Sequence, residues 1–315
     1  MSQLQSGNGT TTNNNNGTGN GNTSITADGF SIGVAEDRNK RCRRTMEDAH
    51  SYITDYIGVP RQGFFAIFDG HAGKATADWC GANFHKTLAE CLSVHEGKPI
   101  PEILNLAFLE VDRQVNLNEG KSSGCTAVVA FVQAKGDKVC LYIGCTIKRW
   151  GQRVKVGLSI GSWNEGRRGG FTERQTLYTG NVGDARAVLC RKGKAVRLSY
   201  DHKGSDHQEA KRITDLGGFM MNNRVNGVLA VTRSLGDCVM KEFVVGNPYT
   251  TETELGQGDD FLILACDGLW DVCEDQDAVD LVKDIQDPQA ASRKLLDHAL
   301  ANFSTDNLSI LVIRF

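Results

Sequence analysis

Hydrophobic positions along this chain follow three rhythms. The first is a short unbroken run that ends abruptly. Phe64-Phe65-Ala66-Ile67-Phe68 stops at Asp69-Gly70-His71, and Phe261-Leu262-Ile263-Leu264-Ala265-Cys266 stops at Asp267-Gly268-Leu269-Trp270-Asp271. Runs this short and this apolar predict strands buried on both faces. The second rhythm is alternation, which predicts two strands between Ile25 and about Tyr56. The third is helical spacing. It predicts a helix after His71 to about Leu92, with Ala75, Trp79, Leu88 and Leu92 as core positions. A second helix begins at Pro101, a favourable first-turn residue, and turns Ile103, Leu104, Ala107, Phe108, Val111 and Val115 to one face.

Further along, a small-residue turn at Ser123-Gly124-Cys125 feeds a buried strand to Val132. Two strands between Leu177 and Leu189 pivot on Gly183-Asp184, and the turn Arg191–Lys194 leads into another over 195–199. A helix from about Ser205 to Leu216 is closed by Gly217-Gly218. Val228–Val231 runs into the polar loop Thr232–Asp237. Two helices follow the strand that ends before Asp267. The first carries the stripe Ala278, Leu281, Val282 and Ile285, and the second starts at Asp287-Pro288. A final strand spans Leu308–Phe315.

The strands thus fall around residues 25–70 and 125–270, with a helix pair after each group. Few are joined by a single crossover helix, which disfavours a parallel doubly wound sheet. The expected class is α+β, with two mainly antiparallel sheets face to face and helices on both outer faces. Residues 1–24 are Asn, Gly, Thr and Ser with little else, too polar to offset the entropy of ordering, and are expected to be disordered. Residues 25–315 form one expected domain, interrupted by a Gly-rich block at 139–175. That block holds seven basic residues against two acidic ones and separates two strands that a short hairpin would otherwise join. It reads either as a basic surface insertion that docks a partner or as a retained intron, since codons for Val139 and Gln175 can spell an intron's two ends.

Composition narrows the classes. A net charge of −3 gives no general attraction to nucleic acid or anionic membrane. No membrane span or basic-then-apolar leader is visible, so a cytoplasmic and nuclear protein is expected. The ten cysteines show no paired CxxC spacing and read as buried thiols.

Acidic residues recur at strand ends or beside Gly: Glu47, Asp48, Asp69, Asp184, Asp237, Asp267, Asp271 and Asp306. Rigid carboxylates aimed into one space repel and call for a cation, and hard oxygen ligands suit magnesium or manganese. Two divalent ions about 3.5–4 Å apart could share Asp69 and a bridging water, acidified enough to attack phosphorus. Such an attack needs a cation for the phosphoryl oxygens, a role suited to the planar fork of Arg43. It also needs a proton for the leaving alkoxide, which His71 can supply. No covalent nucleophile is required.

Seven segments carry a resemblance: Arg43-Arg44-Thr45-Met46-Glu47-Asp48-Ala49-His50, Phe68-Asp69-Gly70-His71-Ala72-Gly73, Ser123-Gly124-Cys125-Thr126-Ala127, Asn181-Val182-Gly183-Asp184-Ala185-Arg186, Val231-Thr232-Arg233-Ser234-Leu235-Gly236-Asp237, Ala265-Cys266-Asp267-Gly268-Leu269-Trp270-Asp271 and Thr305-Asp306-Asn307. Their wording and order are similar to the metal-dependent type 2C protein phosphatases, from about Gly29 to the C-terminus apart from 139–175. The resemblance implies an α-β-β-α sandwich with a dinuclear metal site at one edge. It also implies hydrolysis of phosphoserine and phosphothreonine with two magnesium or manganese ions. Asp69 then looks like the bridging ligand, and the Gly70 carbonyl, Asp267 and Asp306 look like the other protein ligands. Glu47 and Asp48 resemble the acidic pair near the metals, Glu47 acting largely through water. Arg43 resembles the phosphate-binding arginine and His71 the general acid. Asp184 and Asp271 resemble a weaker third metal site. Cys125 departs from the usual Ser.

The C-terminal half is most similar to the fungal branch that restrains the osmotic-stress MAP kinase pathway. Phosphorylated proteins, MAP kinases and their adaptors among them, are therefore the implied partners, and a monomer the implied state. A catalytically inactive adaptor on the same fold is the alternative, which predicts missing ligands, whereas Asp69, Asp267 and Asp306 are all present. A nuclease would show a basic groove, and the only basic concentration is the block at 139–175.

Overall fold

The computed structural model describes residues 25–27, 29–118, 123–135 and 174–315. The segment expected to be disordered, 1–24, and nearly all of the 139–175 block lie outside the described residues. In chain order the elements are β1 (Ile25–Ala27), β2 (Phe30–Asp37), β3 (Ala49–Thr54), β4 (Gly63–His71), α1 (Ala75–Val94), α2 (Ile100–Asn118), β5 (Gly124–Lys135), β6 (Arg174–Val182), β7 (Arg186–Arg191) and β8 (Lys194–Arg197). There follow α3 (His207–Asp215), β9 (Met220–Met221), β10 (Arg224–Val225), β11 (Leu235–Gly236), β12 (Tyr249–Leu255), β13 (Asp259–Ala265), α4 (Asp267–Trp270), α5 (Asp275–Val282), α6 (Pro288–Ala301) and β14 (Leu308–Arg314).

Two antiparallel sheets carry the fold. One has the order β1-β2-β14-β13-β7-β8, and the other β12-β6-β5-β4-β3 with β11 added beside β5. The layering follows from the two-residue period of a strand. Phe64, Ala66 and Phe68 face α1 and α2, in one cluster with Phe84, Leu88, Phe108 and Val111. Phe65 and Ile67 point the other way, into the gap between the sheets, where they meet Leu262, Leu264 and Leu311. Phe261 and Ile263 face outward again, against Leu269, Val279 and Leu295 of the second helical layer. Three cores separate four layers, α-β-β-α, as expected. No helix among the described residues is long and apolar enough to cross a membrane.

The structure corrects several local expectations. The region before Tyr56 forms three strands rather than two. In α1 the buried stripe is Ala77, Cys80, Phe84 and Leu88, while Ala75 is exposed and Trp79 and Leu92 are only half-buried. The helix is turned by the aromatic cluster it must cover, with Phe84 edge-on to Phe108 at 4.8 Å. Three helices, not two, follow β13, because Asp267–Trp270 is itself a short helical turn. Arg174 and Gln175 belong to β6, opposite Lys135 and Ala134, so the inserted block ends earlier than its codon signature suggested. β5 and β6 pair in unbroken register from Ala127↔Val182 to Lys135↔Arg174.

Candidate active site

Antiparallel pairing brings the acidic residues to one end of the sandwich. β4 ends there with Asp69, Gly70 and His71, which remain in register with Thr126, Cys125 and Gly124 of β5. The strand therefore runs through the Asp-Gly-His rather than stopping before it. β3 is antiparallel to β4, so Asp48, just before β3, sits at the same end. β6 also finishes there, and Gly183-Asp184 carries the chain across to β7 of the other sheet. β13 runs antiparallel to β7 and delivers Asp267, and β14 runs antiparallel to β13 and starts after Asp306. Asp69 continues the Phe65–Ile67 face by alternation, which aims it between the sheets.

Close backbone approach fixes these strand ends. A Cβ on Gly70 would overlap the Glu47 carbonyl, and one on Gly268 would overlap the Asn307 carbonyl. Asn307 ties the preceding loop down. Its Oδ1 accepts from the Glu47 N–H at 2.9 Å, and its Nδ2 donates to the Arg38 and Thr45 carbonyls at 2.9 and 3.0 Å. Arg186, the first residue of β7, donates to Asp201 and Asp275 at 2.6 Å each and lies over the Trp270 ring at 5.0 Å. Neither Asn307 nor Arg186 was singled out from sequence. Both stand inside conspicuous motifs, but a cross-strand tie has no one-dimensional pattern.

The carboxylates strain one another electrostatically. Burial pushes Asp69 well above the usual range, and the charges of Asp48, Asp267, Asp184 and Asp306 add to it. Asp267 is raised well above that range by burial and by Asp184, Asp306 and Asp271. Asp48 is pushed to about 6, mainly by burial, and neither of its oxygens has a well-formed hydrogen bond. Burial takes Asp184 to about 6 against the pull of Lys203. Asp306 is raised by burial, with Arg43 opposing.

Buried, mutually repelling, oxygen-only donors with orphaned lone pairs fit a hard divalent cation. Among the described residues no three His, Cys, Asp or Glu side chains close around a single point.

The remaining expected residues are placed as follows. Arg43 lies against the Asp306 carboxylate, and its Nε donates to the Thr305 carbonyl at 3.2 Å. Glu47 is occupied locally, Oε2 accepting from the Gly73 N–H at 3.0 Å and Oε1 from the Thr45 hydroxyl at 2.9 Å. His71 meets Asp237, Nε2 to Oδ2, at 2.7 Å. Asp184 and Asp271 come together through Lys203, whose ammonium is 3.7 and 2.8 Å from them. That lysine was not foreseen from sequence.

The sequence matches the Protein phosphatase 2C family over residues 32–145 and 171–308, leaving 146–170 unmatched between the two segments. It is 42% identical over 284 residues to Protein phosphatase 2C homolog 1 of Saccharomyces cerevisiae, an alignment covering 90% of this chain and 93% of that relative. It is also 42% identical over 289 residues to Protein phosphatase 2C homolog 1 of Schizosaccharomyces pombe, covering 91% and 74% respectively. A crystal structure of a phosphatase from Toxoplasma gondii superposes with a TM-score of 0.72 at 22% identity, covering 93% of this chain and 94% of that one, a likeness of fold. With the four-layer sandwich and its acidic end in place, these matches establish that the chain belongs to the protein phosphatase 2C family, whose members are metal-dependent protein-serine/threonine phosphatases.

Proposed function

We propose that the acidic end of the sandwich is the catalytic centre, hydrolysing phosphoserine and phosphothreonine with two magnesium or manganese ions. The observation that carries this reading is the convergence of Asp48, Asp69, Asp184, Asp267 and Asp306 from both sheets, each raised by burial and by the charges of neighbouring carboxylates. Asp69 is the best-placed bridge, between Asp48 on its own sheet and Asp267 on the other. The Gly70 carbonyl, Asp267 and Asp306 complete the direct ligands. Asp48 and Glu47 act alongside, Glu47 also holding the loop at Gly73. Asp184 and Asp271 would hold a weaker third cation in competition with the Lys203 ammonium. When bound, the ions supply a water acidified toward hydroxide at neutral pH and positive charge to stabilise the transition state.

The chain's own residues supply the rest. Arg43 is half-exposed beside the Asp306 carboxylate, and its planar fork matches two phosphoryl oxygens. His71 donates a proton to the departing seryl or threonyl oxygen. The substrates are phosphoproteins. Likeness to the fungal branch supports stress-activated MAP kinases and their adaptors as targets, met by a monomer in cytoplasm and nucleus. The adaptor reading gains nothing here, since every carboxylate it would lack is present.

The test is hydrolysis of a phosphothreonine peptide with manganese and with EDTA, beside the Asp267→Asn variant. Manganese-dependent release of phosphate, abolished by chelation and by the variant, is expected. Metal-independent turnover, or full activity in the variant, would overturn the assignment of the site.

A further inference from the structure

Two motifs have no part in the chemistry derived so far: Ser123-Gly124-Cys125 and Ser234-Leu235-Gly236-Asp237. They meet at His71. The β4–β5 register sets His71 opposite Gly124, and β11 lays Gly236 opposite the same Gly124. The next residue, Asp237, therefore arrives beside the imidazole, and its Oδ2 lies 2.7 Å from His71 Nε2.

This carboxylate is built into place from several sides. It is buried, at 9% exposure. Its backbone is left-handed, with φ of 50°, a region that side-chain-bearing residues enter infrequently. Its N–H donates to the Ser123 carbonyl at 3.2 Å, and the Ser234 hydroxyl donates to the same Oδ2 that meets His71. From α2, Asp112 accepts the Gly236 N–H at 2.9 Å and the Lys241 ammonium at 2.8 Å, and Lys241 also reaches the Ser234 carbonyl at 3.1 Å. Gly124 leaves the necessary room, because a Cβ there would overlap both the Asp237 carboxylate and the His71 ring. Strain held by this many independent contacts marks a functional constraint more often than an accident.

We propose that Asp237 is the positioning residue of the general acid: it grips His71 by Nε2 and leaves Nδ1 as the nitrogen that serves the leaving group. A carboxylate on one ring nitrogen fixes the ring's tautomer and direction, as in other Asp–His pairs. In the step served, water oxygen bonds to phosphorus and the bond from phosphorus to the seryl or threonyl oxygen breaks. That oxygen keeps the electron pair and takes the proton from Nδ1, and the ring is left neutral with its Nε2–H on Asp237. The inference rests on His71 being the proton donor.

The experiment compares wild type, Asp237→Asn, His71→Ala and the double variant on a phosphothreonine peptide and on p-nitrophenyl phosphate, whose leaving group needs little protonation. Asp237→Asn should lower kcat on the peptide by about 10–100-fold and on the aryl phosphate by less than about 3-fold, a share of a general acid's contribution. Added to His71→Ala it should cost nothing further, because the two act as a unit. Manganese affinity by calorimetry should be unchanged.

Equal losses on both substrates, a further loss in the double variant, or weakened manganese binding would overturn the positioning role. Equal losses on both substrates in His71→Ala would remove the general-acid reading itself, a separate failure. Nitrogen-15 NMR of the wild-type ring gives a readout independent of any variant's folding. The neutral form should carry its proton on Nε2, and a proton on Nδ1 would also overturn the proposal.

Discussion

Asp69 is where stability and chemistry conflict most sharply. Its carboxylate is buried beside four others, and the charge is compensated by a bound cation or, without one, by taking up a proton. Asp69→Asn keeps the shape and removes the charge. Turnover should fall roughly 10³-fold or more, the scale of losing a principal electrostatic contributor. The metal-free melting temperature should stay level or rise, since a repelling charge has gone. Near-normal turnover in that variant would sink the dinuclear reading. Asp69, Asp267 and Asp306 were legible in sequence because each stands where an apolar run ends or begins. Lys203, Asn307 and the grip of Asp237 on His71 were not, because each joins residues more than sixty positions apart.

Among elements, α1 and α2 cover the outer face of the sheet that carries Asp69. Phe84 of α1 sits among Phe64, Phe68 and Phe108, with ring centroids 6.1, 5.8 and 4.8 Å away. Phe84→Ala should destabilise the protein by about 3–5 kcal/mol, read as a shift in denaturant midpoint. A change below about 1 kcal/mol would mean the helix packs elsewhere. The stripe of α2 was correctly read because its six apolar residues stand on a single helical face. The stripe of α1 was read in part: Leu88 is buried and Trp79 and Leu92 pack at the edge of the same core, but Ala75 is exposed and Ala77, Cys80 and Phe84 were not foreseen. Only contact with the aromatic layer selects between overlapping stripes.

For the whole molecule, cation binding and folding are linked through the raised carboxylates. Asp48 and Asp184 titrate near 6 in the fold against an ordinary 3.8, and Asp69 and Asp267 are raised well above that value too. The metal-free fold thus binds protons that the unfolded chain has released. Their contribution to stability is complete below about 3.8 and is lost as pH rises through the raised values. His85 and His202, lowered to about 4 by burial, work in the opposite sense, their contribution growing from about 4 to about 6.5. Cations need the deprotonated carboxylates. The rise in melting temperature on adding saturating manganese should therefore increase from about pH 5 to about pH 7.5, the imidazoles cancelling in the difference. A rise that is constant across that range would contradict the linkage. The unmatched stretch 146–170 bears on the same scale. β5 and β6 pair without it, so deleting 146–170 should leave manganese-dependent phosphopeptide turnover intact, whereas a deletion reaching Arg174 and Gln175 would cut into β6. Loss of turnover on the shorter deletion would show that the stretch supports the site. The sequence alone determined the family, the antiparallel four-layer class and most of the acidic residues, because period, apolarity and motif order are local properties. Which carboxylates repel, what clasps His71 and which cation lies between Asp184 and Asp271 were decided only by tertiary structure, because electrostatics and hydrogen bonding depend on distance in space, and the strands that set those distances are scattered along the chain.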